Sequence, residues 1–282
     1  MPHLNVNGAR LWCDTMGQGE PLLLHHGYAA SRDNWLPVAE RLAASCKVVL
    51  MECRGCGDSE NTEKGYNLAQ YALDAVELMK QLGHTKFSFG GHSMGGGVGM
   101  QIAFDHGDKL NKLILMASVG SKGLIGDSFR ANVEDRLAAR KRKDKDFFMK
   151  EQISELFRPE VQTEEWFNLR VHHLMNVVSD GHLVDSMASL QNMGFEEKLA
   201  AVSHHTLVMS GGVDPLLKTN LQDFARLPNA SLQVFFRAAH EIAIHEPEGV
   251  ADTINAFMRH GALSAKTLKN RTLKNKTLKT AP

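Results

Sequence analysis

The sequence predicts an α/β protein with a mostly parallel eight-stranded sheet and helices on both faces. Short segments such as 21–24 and 47–51 are uniformly apolar, which is typical of strands buried on both faces. They alternate with segments of helical period, and 68–82 is the clearest of these because its apolar residues form one stripe and Gly83 follows as a cap. With 282 residues and 43% hydrophobic content, the chain can bury the core that such a sheet requires.

The predicted sheet begins with an antiparallel hairpin around Asn7-Gly8, because this dipeptide favours a two-residue turn. Further strands are predicted at 21–24, 47–51, 87–89, 113–116, 206–210 and 231–236. Helices are predicted at 34–42, 68–82 and 247–259, with others directly after residues 95 and 214.

The alternation of strands and helices stops between residues 120 and 199, where the pattern is helical throughout. We interpret 120–199 as a helical cap inserted after the sixth strand, between a first core part at 1–119 and a second at 200–264. Residues 265–282 repeat Thr-Leu-Lys in a basic segment with few apolar residues, so we predict a disordered tail, with a surface or RNA-contacting arm as the alternative.

Charge and cysteine usage limit the partners and the compartment. The 32 basic and 32 acidic residues balance, and the basic tail leaves the rest of the chain mildly acidic, which predicts no nucleic-acid partner. The chain starts without a signal-peptide pattern and has no apolar run of membrane-spanning length, so we predict a cytoplasmic protein with no membrane partner. The four cysteines form no disulfide framework and are predicted to be free thiols, and both monomer and homodimer remain open.

The segment 86–97 reads Lys-Phe-Ser-Phe-Gly-Gly-His-Ser-Met-Gly-Gly-Gly and predicts a strand, a sharp turn and a helix. Gly91 and Gly95 stand two positions either side of Ser93, where they remove the Cβ atoms that would clash around a strained serine. This Gly-x-Ser-x-Gly turn is typical of a nucleophile elbow, which exposes the serine hydroxyl beside the first N–H groups of a helix. Ser93 is therefore the candidate nucleophile, although a glycine-rich turn with no catalytic role has the same pattern.

A nucleophilic serine needs a base and an orienting acid, here in the order Ser, Asp, His. Asp214 follows a predicted buried strand directly, although an aspartate before a helix can also be a simple N-cap. His240 follows the next strand, in Arg-Ala-Ala-His-Glu. The strand ending at Met116 has no acidic residue after it until Asp127, so Asp214 has no competitor there.

Together these residues resemble the α/β-hydrolase superfamily, in particular its small cap-bearing esterases, lactonases and C–C hydrolases. The resemblance covers roughly residues 4 to 262. Four motifs carry it: His26-Gly27, Arg54-Gly55-x-Gly57-x-Ser59, Gly91-x-Ser93-x-Gly95, and His240 with Glu246-x-Glu248. One departure is Glu52, which stands where the family usually has an aspartate.

The resemblance implies acyl transfer by a Ser93-Asp214-His240 triad on a small-molecule substrate, with no cofactor. It also implies an oxyanion hole formed by the backbone N–H groups of Tyr28 and Met94. His26 and Gly27 would support the loop that carries Tyr28. In the family the loop with the Arg-Gly motif is structural, which leaves Cys53 and Cys56 without a role.

Several alternatives remain open at the level of sequence. Cys53 and Cys56 have the C-x-x-C spacing of zinc and redox sites, but no second cysteine pair exists, so we predict no metal. A C–C hydrolase is the nearest competing enzyme, although such relatives usually carry Asn where this chain has His92, which favours an ester, thioester or lactone. Cofactor-free perhydrolysis and a small-molecule receptor that keeps its triad are the others.

Overall fold

The computed structural model describes residues 3–126, 128–154 and 158–263, and these form one eight-stranded sheet. The strands are β1 His3–Val6, β2 Ala9–Met16, β3 Glu20–His25, β4 Cys46–Met51, β5 Phe87–His92, β6 Leu110–Met116, β7 His205–Gly211 and β8 Ala230–Phe235. Their order is β1-β2-β4-β3-β5-β6-β7-β8, with antiparallel pairing at β1-β2 and β2-β4 and parallel pairing elsewhere. The predicted fold class is confirmed, while the tail predicted at 265–282 lies outside the described residues.

The uniformly apolar strands are buried on both faces, as their composition predicted. Leu22 and Leu24 pack in one core cluster with Trp35, whereas Leu23, between them, packs in a second cluster with Tyr71. Successive side chains of a strand point to opposite faces, so a strand covered on both sides has no polar alternation. Such burial holds the carboxyl ends of the parallel strands in fixed positions.

The helices lie on both faces of this sheet. The α-helices are α1 Leu36–Leu42, α2 Leu68–Gln81, α3 Met94–Asp105, α4 Ser128–Arg142, α5 Lys145–Ser154, α6 Glu164–Asn176, α7 Met187–Gln191, α8 Leu217–Arg226, α9 Ile242–His245 and α10 Pro247–His260. Residues of α1 and α10 belong to the core cluster of Trp35, and residues of α2 and α3 belong to the cluster of Tyr71.

Two helices begin later in the structure than the sequence predicted. A short 3₁₀ turn, Arg32–Asn34, precedes α1, because the Ser31 hydroxyl accepts a hydrogen bond from the N–H of Asp33 and caps that turn first. The helix predicted directly after Asp214 begins only at Leu217, because the Asp214 carboxylate accepts the N–H of Leu216 and forms a turn there.

The first hairpin follows from its two turn residues. Asn7 and Gly8 have φ angles of 47° and 78°, so both are left-handed, and Val6 pairs with Ala9 across them. This is the two-residue turn that Asn-Gly favours, because its twist matches that of the strands it connects. The hairpin predicted from the dipeptide is confirmed.

Among the described residues between β6 and β7, every regular element is a helix, and loops connect them. This segment contains α4 to α7 and a π-helical turn at His182–Ser186. Phe148, Leu174 and Leu183 are buried in the same cluster as Leu23 and Phe89 of the sheet. The inserted helices therefore share a core with one face of the sheet. Among the described residues, no helix is both long and apolar enough to cross a bilayer.

A buried ion pair connects the loop after β4 to α2. The Arg54 guanidinium donates from Nε and Nη2 to the two Asp74 carboxylate oxygens, both at 2.8 Å, and the two side chains are at most 5% exposed. Asn7 and Gln70 donate further hydrogen bonds to Asp74 at 3.0 and 2.9 Å. The pair therefore holds this loop against both the hairpin and α2.

We expect Arg54→Met to lower the free energy of unfolding by about 3–5 kcal/mol, because it leaves the Asp74 carboxylate buried without its partner. Urea denaturation measures this change. Arg41→Met is the matched control, since Arg41 and Glu248 form an exposed pair whose loss should cost about 1 kcal/mol or less. Equal stabilities of the two variants would show that the Arg54 pair does not hold the loop.

Candidate active site

Ser93 lies at the turn between β5 and α3 with φ 54° and ψ −113°, outside the regions that a serine normally adopts. The neighbouring glycines are needed for space. A Cβ atom on Gly91 would overlap the carbonyl oxygen of Gly95, and one on Gly95 would lie 2.5 Å from the carbonyl oxygen of His25. Only glycine fits at both positions, so the local sequence fixes the sharp turn.

Backbone hydrogen bonds hold the strained serine in place. Its N–H donates to the Met116 carbonyl at 3.0 Å, and its carbonyl accepts the N–H groups of Gly96 and Val119 at 2.9 and 3.1 Å. Strained backbone persists only where surrounding structure determines it, and such positions are concentrated at functional sites. Ser93 is 9% exposed, so a reactant has to enter the site to reach its hydroxyl.

The structure brings Asp214 and His240 together although 26 residues separate them. Asp214 follows β7 and His240 follows β8, and these strands are parallel neighbours. The His240 Nδ1 atom lies 3.2 and 3.3 Å from the two carboxylate oxygens of Asp214. A carboxylate only accepts, so Nδ1 carries the proton and Nε2 of the neutral ring keeps its lone pair.

The surroundings of this pair are asymmetric. The Asp214 side chain is fully buried, and the N–H of Leu216 donates to its Oδ1 at 2.8 Å, while the His240 side chain is 32% exposed. A buried, hydrogen-bonded carboxylate keeps one orientation, whereas a partly exposed imidazole can meet a reactant. Asp214 therefore orients the His240 ring from the buried side of the pair.

His92 places His240 beside the elbow. The His92 and His240 ring centroids are 4.9 Å apart, and His92 Nε2 lies 3.0 Å from the His240 carbonyl oxygen. Burial lowers the pKa of His92 to about 4, so its ring is neutral at pH 7 and donates from Nε2 to that carbonyl. Because His92 directly precedes Ser93, this bond ties the histidine loop to the serine turn.

The loop after β3 approaches the serine from the other side. A Cβ atom on Gly27 would lie 3.2 Å from the Ser93 Cβ and 3.1 Å from His92 Nδ1, so glycine keeps this space open. Among the described residues, the N–H groups of Tyr28 and Met94 donate no backbone or side-chain hydrogen bond. Met94 is the first residue of α3, where N–H groups have no partner within the helix.

His26 is fully buried and holds two loops together. Its Nδ1 lies 2.8 Å from the Gly27 carbonyl, and its Nε2 lies 3.1 Å from the N–H of Cys53 in the loop after β4. With Nδ1 donating and Nε2 accepting, both ring nitrogens are engaged. This geometry fits a bracing role better than that of a base.

The inserted segment holds the Tyr28 loop through residues that the sequence analysis missed. The N–H of Ala29 donates to His182 Nε2 at 3.2 Å, the Tyr28 hydroxyl donates to the Leu183 carbonyl at 2.7 Å, and His173 Nε2 lies 3.0 Å from the Ala30 carbonyl. Burial, and then the nearby Arg170 charge, lower the pKa of His173 to about 3, so this ring is neutral and donates. No sequence pattern indicates these contacts, because they join residues more than 140 positions apart.

Asn34 is a further residue that sequence reasoning did not find. Its side chain accepts the N–H of Gly27 at 3.3 Å and donates to the Glu241 carboxylate at 2.8 Å. It thus connects the loop after β3 with the residue that follows His240.

Among the described residues, the side chains with metal-ligand spacing are His26, Cys53 and Cys56.

A family model for the alpha/beta hydrolase fold matches residues 20–247 of this chain. The chain belongs to the alpha/beta hydrolase family. The soluble epoxide hydrolase of Corynebacterium sp. (strain C12) is 36% identical over 124 residues, which are 44% of this chain and 43% of that protein. The match thus spans less than half of that relative's length.

Solved structures share the fold of this protein over nearly the whole chain. The enol-lactonase from Burkholderia xenovorans LB400 has a TM-score of 0.81 at 18% identity and covers 92% of this chain and 100% of that one. A thermophilic esterase from Thermogutta terrifontis with malate bound has a TM-score of 0.81 at 23% identity, covering 91% and 97%. At these identities the two structures establish the fold, and the family match makes the chain a hydrolase of this family.

Proposed function

We propose that the protein is a serine hydrolase of small carboxylic esters, lactones or thioesters, with Ser93, His240 and Asp214 as its catalytic triad. The observation that carries this proposal is the pairing of His240 Nδ1 with the buried Asp214 carboxylate at 3.2 Å, beside the strained turn that presents Ser93. This is the set of parts that a serine needs for nucleophilic attack. The pair also gives Asp214 a role beyond its turn with Leu216.

The reaction would proceed in two halves. Ser93 Oγ attacks the substrate carbonyl while His240 Nε2 accepts its proton, and the same imidazolium then protonates the leaving alcohol, ring oxygen or thiol. Asp214 keeps the proton on Nδ1 and offsets the imidazolium charge. Water, deprotonated by His240, then attacks the acyl-enzyme, and the imidazolium returns this proton to Ser93 Oγ as the acid is released.

The N–H groups of Tyr28 and Met94 would stabilise the oxyanion of both tetrahedral intermediates. These two N–H groups flank Ser93, and neither donates a hydrogen bond to any described residue. Each such donor contributes about 3–4 kcal/mol to the transition state in comparable sites. The contacts of Ala29 and Ala30 with His182 and His173 would hold the Tyr28 N–H in position.

Residues 120–199 would act as a cap that selects the substrate. Support comes from their contacts with the Tyr28 loop and from their buried aromatic side chains, Phe148 and Phe167. The side chains of Phe129 and of residues 156–157 lie outside those that the structure describes. The partner would be a small molecule, with no part for nucleic acid or a membrane.

A substrate panel tests this proposal. The purified chain is assayed against esters of graded acyl length, lactones, thioesters and substrates with an activated C–C bond. We expect turnover among the first three groups. Turnover of C–C substrates alone would reassign the reaction, and ligand-induced structural change without any turnover would indicate a receptor.

A further inference from the structure

We propose that His26, Cys53 and Cys56 form a binding site for one thiophilic metal ion of the zinc type, separate from the catalytic triad. One ligand atom from each side chain lies within 4.8 Å of the other two. All three residues have zero solvent exposure. Two thiolates with one imidazole are a donor set that zinc prefers, and soft sulfur ligands exclude magnesium and calcium.

The loop after β4 presents both cysteines from one tight turn. The N–H of Cys56 donates to the Cys53 carbonyl at 3.1 Å, and Gly55 between them has φ +80°. A left-handed third residue is typical of a type II turn and favours glycine. A Cβ atom on Gly55 would also lie 2.6 Å from the Tyr66 ring, so position 55 accepts little else. The fold therefore fixes the C-x-x-C turn.

The third ligand comes from the neighbouring strand. β3 and β4 run parallel with His25 opposite Met51, so the chain leaves both strands at the same edge of the sheet and His26 meets Cys53 there. His26 Nδ1 donates to the Gly27 carbonyl, which leaves the Nε2 lone pair directed at the N–H of Cys53. Metal-bound imidazoles typically donate from their other nitrogen to such a carbonyl, so His26 already has the required tautomer.

Geometry and charge both suit a divalent ion. Ligand atoms on tetrahedral zinc are about 3.5–3.8 Å apart, so side-chain shifts of about 1 Å would close the present spacing around an ion. A Zn²⁺ ion with two thiolates and a neutral imidazole has no net charge, which lowers the cost of burial. The Nδ1 of His182 lies 3.9 Å from Cys53 Sγ, but it carries the ring proton, because His182 Nε2 accepts the N–H of Ala29 at 3.2 Å, and so it has no lone pair for an ion. We therefore assign three protein ligands.

From the sequence we predicted no metal, because the chain has only one C-x-x-C pair. His26 supplies the third donor from 27 residues upstream. Its His-Gly motif already had an explanation in the loop after β3, so nothing in the sequence marked it as a ligand. An ion at this site would join the loop after β3, which includes Tyr28, to the loop after β4.

Metal analysis of the full chain without an affinity tag tests the site. The protein is grown with added Zn²⁺, purified under reducing conditions without chelators, and also refolded from urea in the presence of Zn²⁺. Zinc per chain is measured by mass spectrometry for the wild type, Cys53→Ser and Cys56→Ser. Cys13→Ser and Cys46→Ser are the matched controls, since Cys13 and Cys46 are also buried free thiols but lie outside the cluster.

We expect one zinc per chain in the wild type and both controls, and at least about tenfold less in Cys53→Ser and Cys56→Ser. Zinc that is absent from both wild-type preparations, or retained in Cys56→Ser, would overturn the proposal. A Cys53–Cys56 disulfide that persists in protein refolded with Zn²⁺ under reducing conditions would also overturn it in favour of a redox pair.

Substitution with Co²⁺ gives a second readout that needs no variant. One bound Co²⁺ with intense thiolate-to-metal absorption supports the site, even if the serine variants fail to fold. Wild-type protein refolded with Co²⁺ that lacks this absorption contradicts it.

Discussion

Ser93→Ala should leave the fold intact and lower kcat by roughly 10⁵-fold or more, because His240 and the two N–H donors then have no nucleophile to serve. The alanine removes one oxygen from a residue whose strained backbone is held by three hydrogen bonds to its main chain. Steady-state kinetics on the best substrate of the panel measure the loss, and circular dichroism checks the fold.

Ser88→Ala is the matched control for this variant. Ser88 is a fully buried serine on β5, the strand that leads to Ser93, and its hydroxyl donates to the Glu20 carboxylate, away from the triad. We expect its kcat to stay within about twofold of the wild type, since it touches no reacting group. An active Ser93→Ala protein would mean that another residue is the nucleophile.

Asp214→Asn should lower kcat by roughly 10³–10⁴-fold with little change in KM, because an amide can donate to Nδ1 and so favours the imidazole tautomer whose Nε2 cannot accept a proton. The size of this effect depends on the burial of Asp214, whose side chain is fully shielded from solvent. Kinetics across the pH range separate this loss from a simple change in stability.

Asp223→Asn provides the comparison for Asp214→Asn. Asp223 is 3% exposed and accepts the N–H and hydroxyl of Ser121 at 2.7 and 2.6 Å. Like Asp214, it is a buried, hydrogen-bonded aspartate that follows β7 in the chain. We expect it to reduce stability but to keep kcat within about tenfold. Asp127, the other acid considered in the sequence, lies outside the described residues. A larger kcat loss in Asp223→Asn than in Asp214→Asn would remove Asp214 from the triad.

The fold could be predicted because its signals are local. Asn7-Gly8 determines its hairpin by the φ angles it tolerates, and the apolar strands indicate burial on both faces without knowledge of their neighbours. Gly91 and Gly95 identify the turn at Ser93 because no other residue fits there.

Contacts in the loop after β4 explain the residues of the Arg-Gly motif. Glu52 stands where the resemblance leads us to expect aspartate, and its buried carboxylate accepts the N–H groups of Arg32 and Asp58. Burial raises the pKa of Glu52, against the effect of these hydrogen bonds and of the Arg32 charge. A Cβ atom on Gly57 would overlap that carboxylate, which explains the second glycine of the Arg-Gly motif.

The parts that could not be predicted are contacts between distant loops. His182, His173 and Asn34 each hold the loop after β3, but they come from two helical segments and a 3₁₀ turn whose docking no periodicity encodes. The meeting of His26 with Cys53 has the same origin, since it depends on the parallel pairing of β3 and β4.

The most direct test of the central claim is peptide mapping after reaction with a fluorophosphonate, which labels a serine only when a base activates it. We expect one adduct, on Ser93, that is lost in His240→Ala and kept in His245→Ala, because His245 accepts the N–H of Ala239 whereas His240 pairs with Asp214. An adduct on any other residue, or full labelling of Ser93 in His240→Ala, would contradict it.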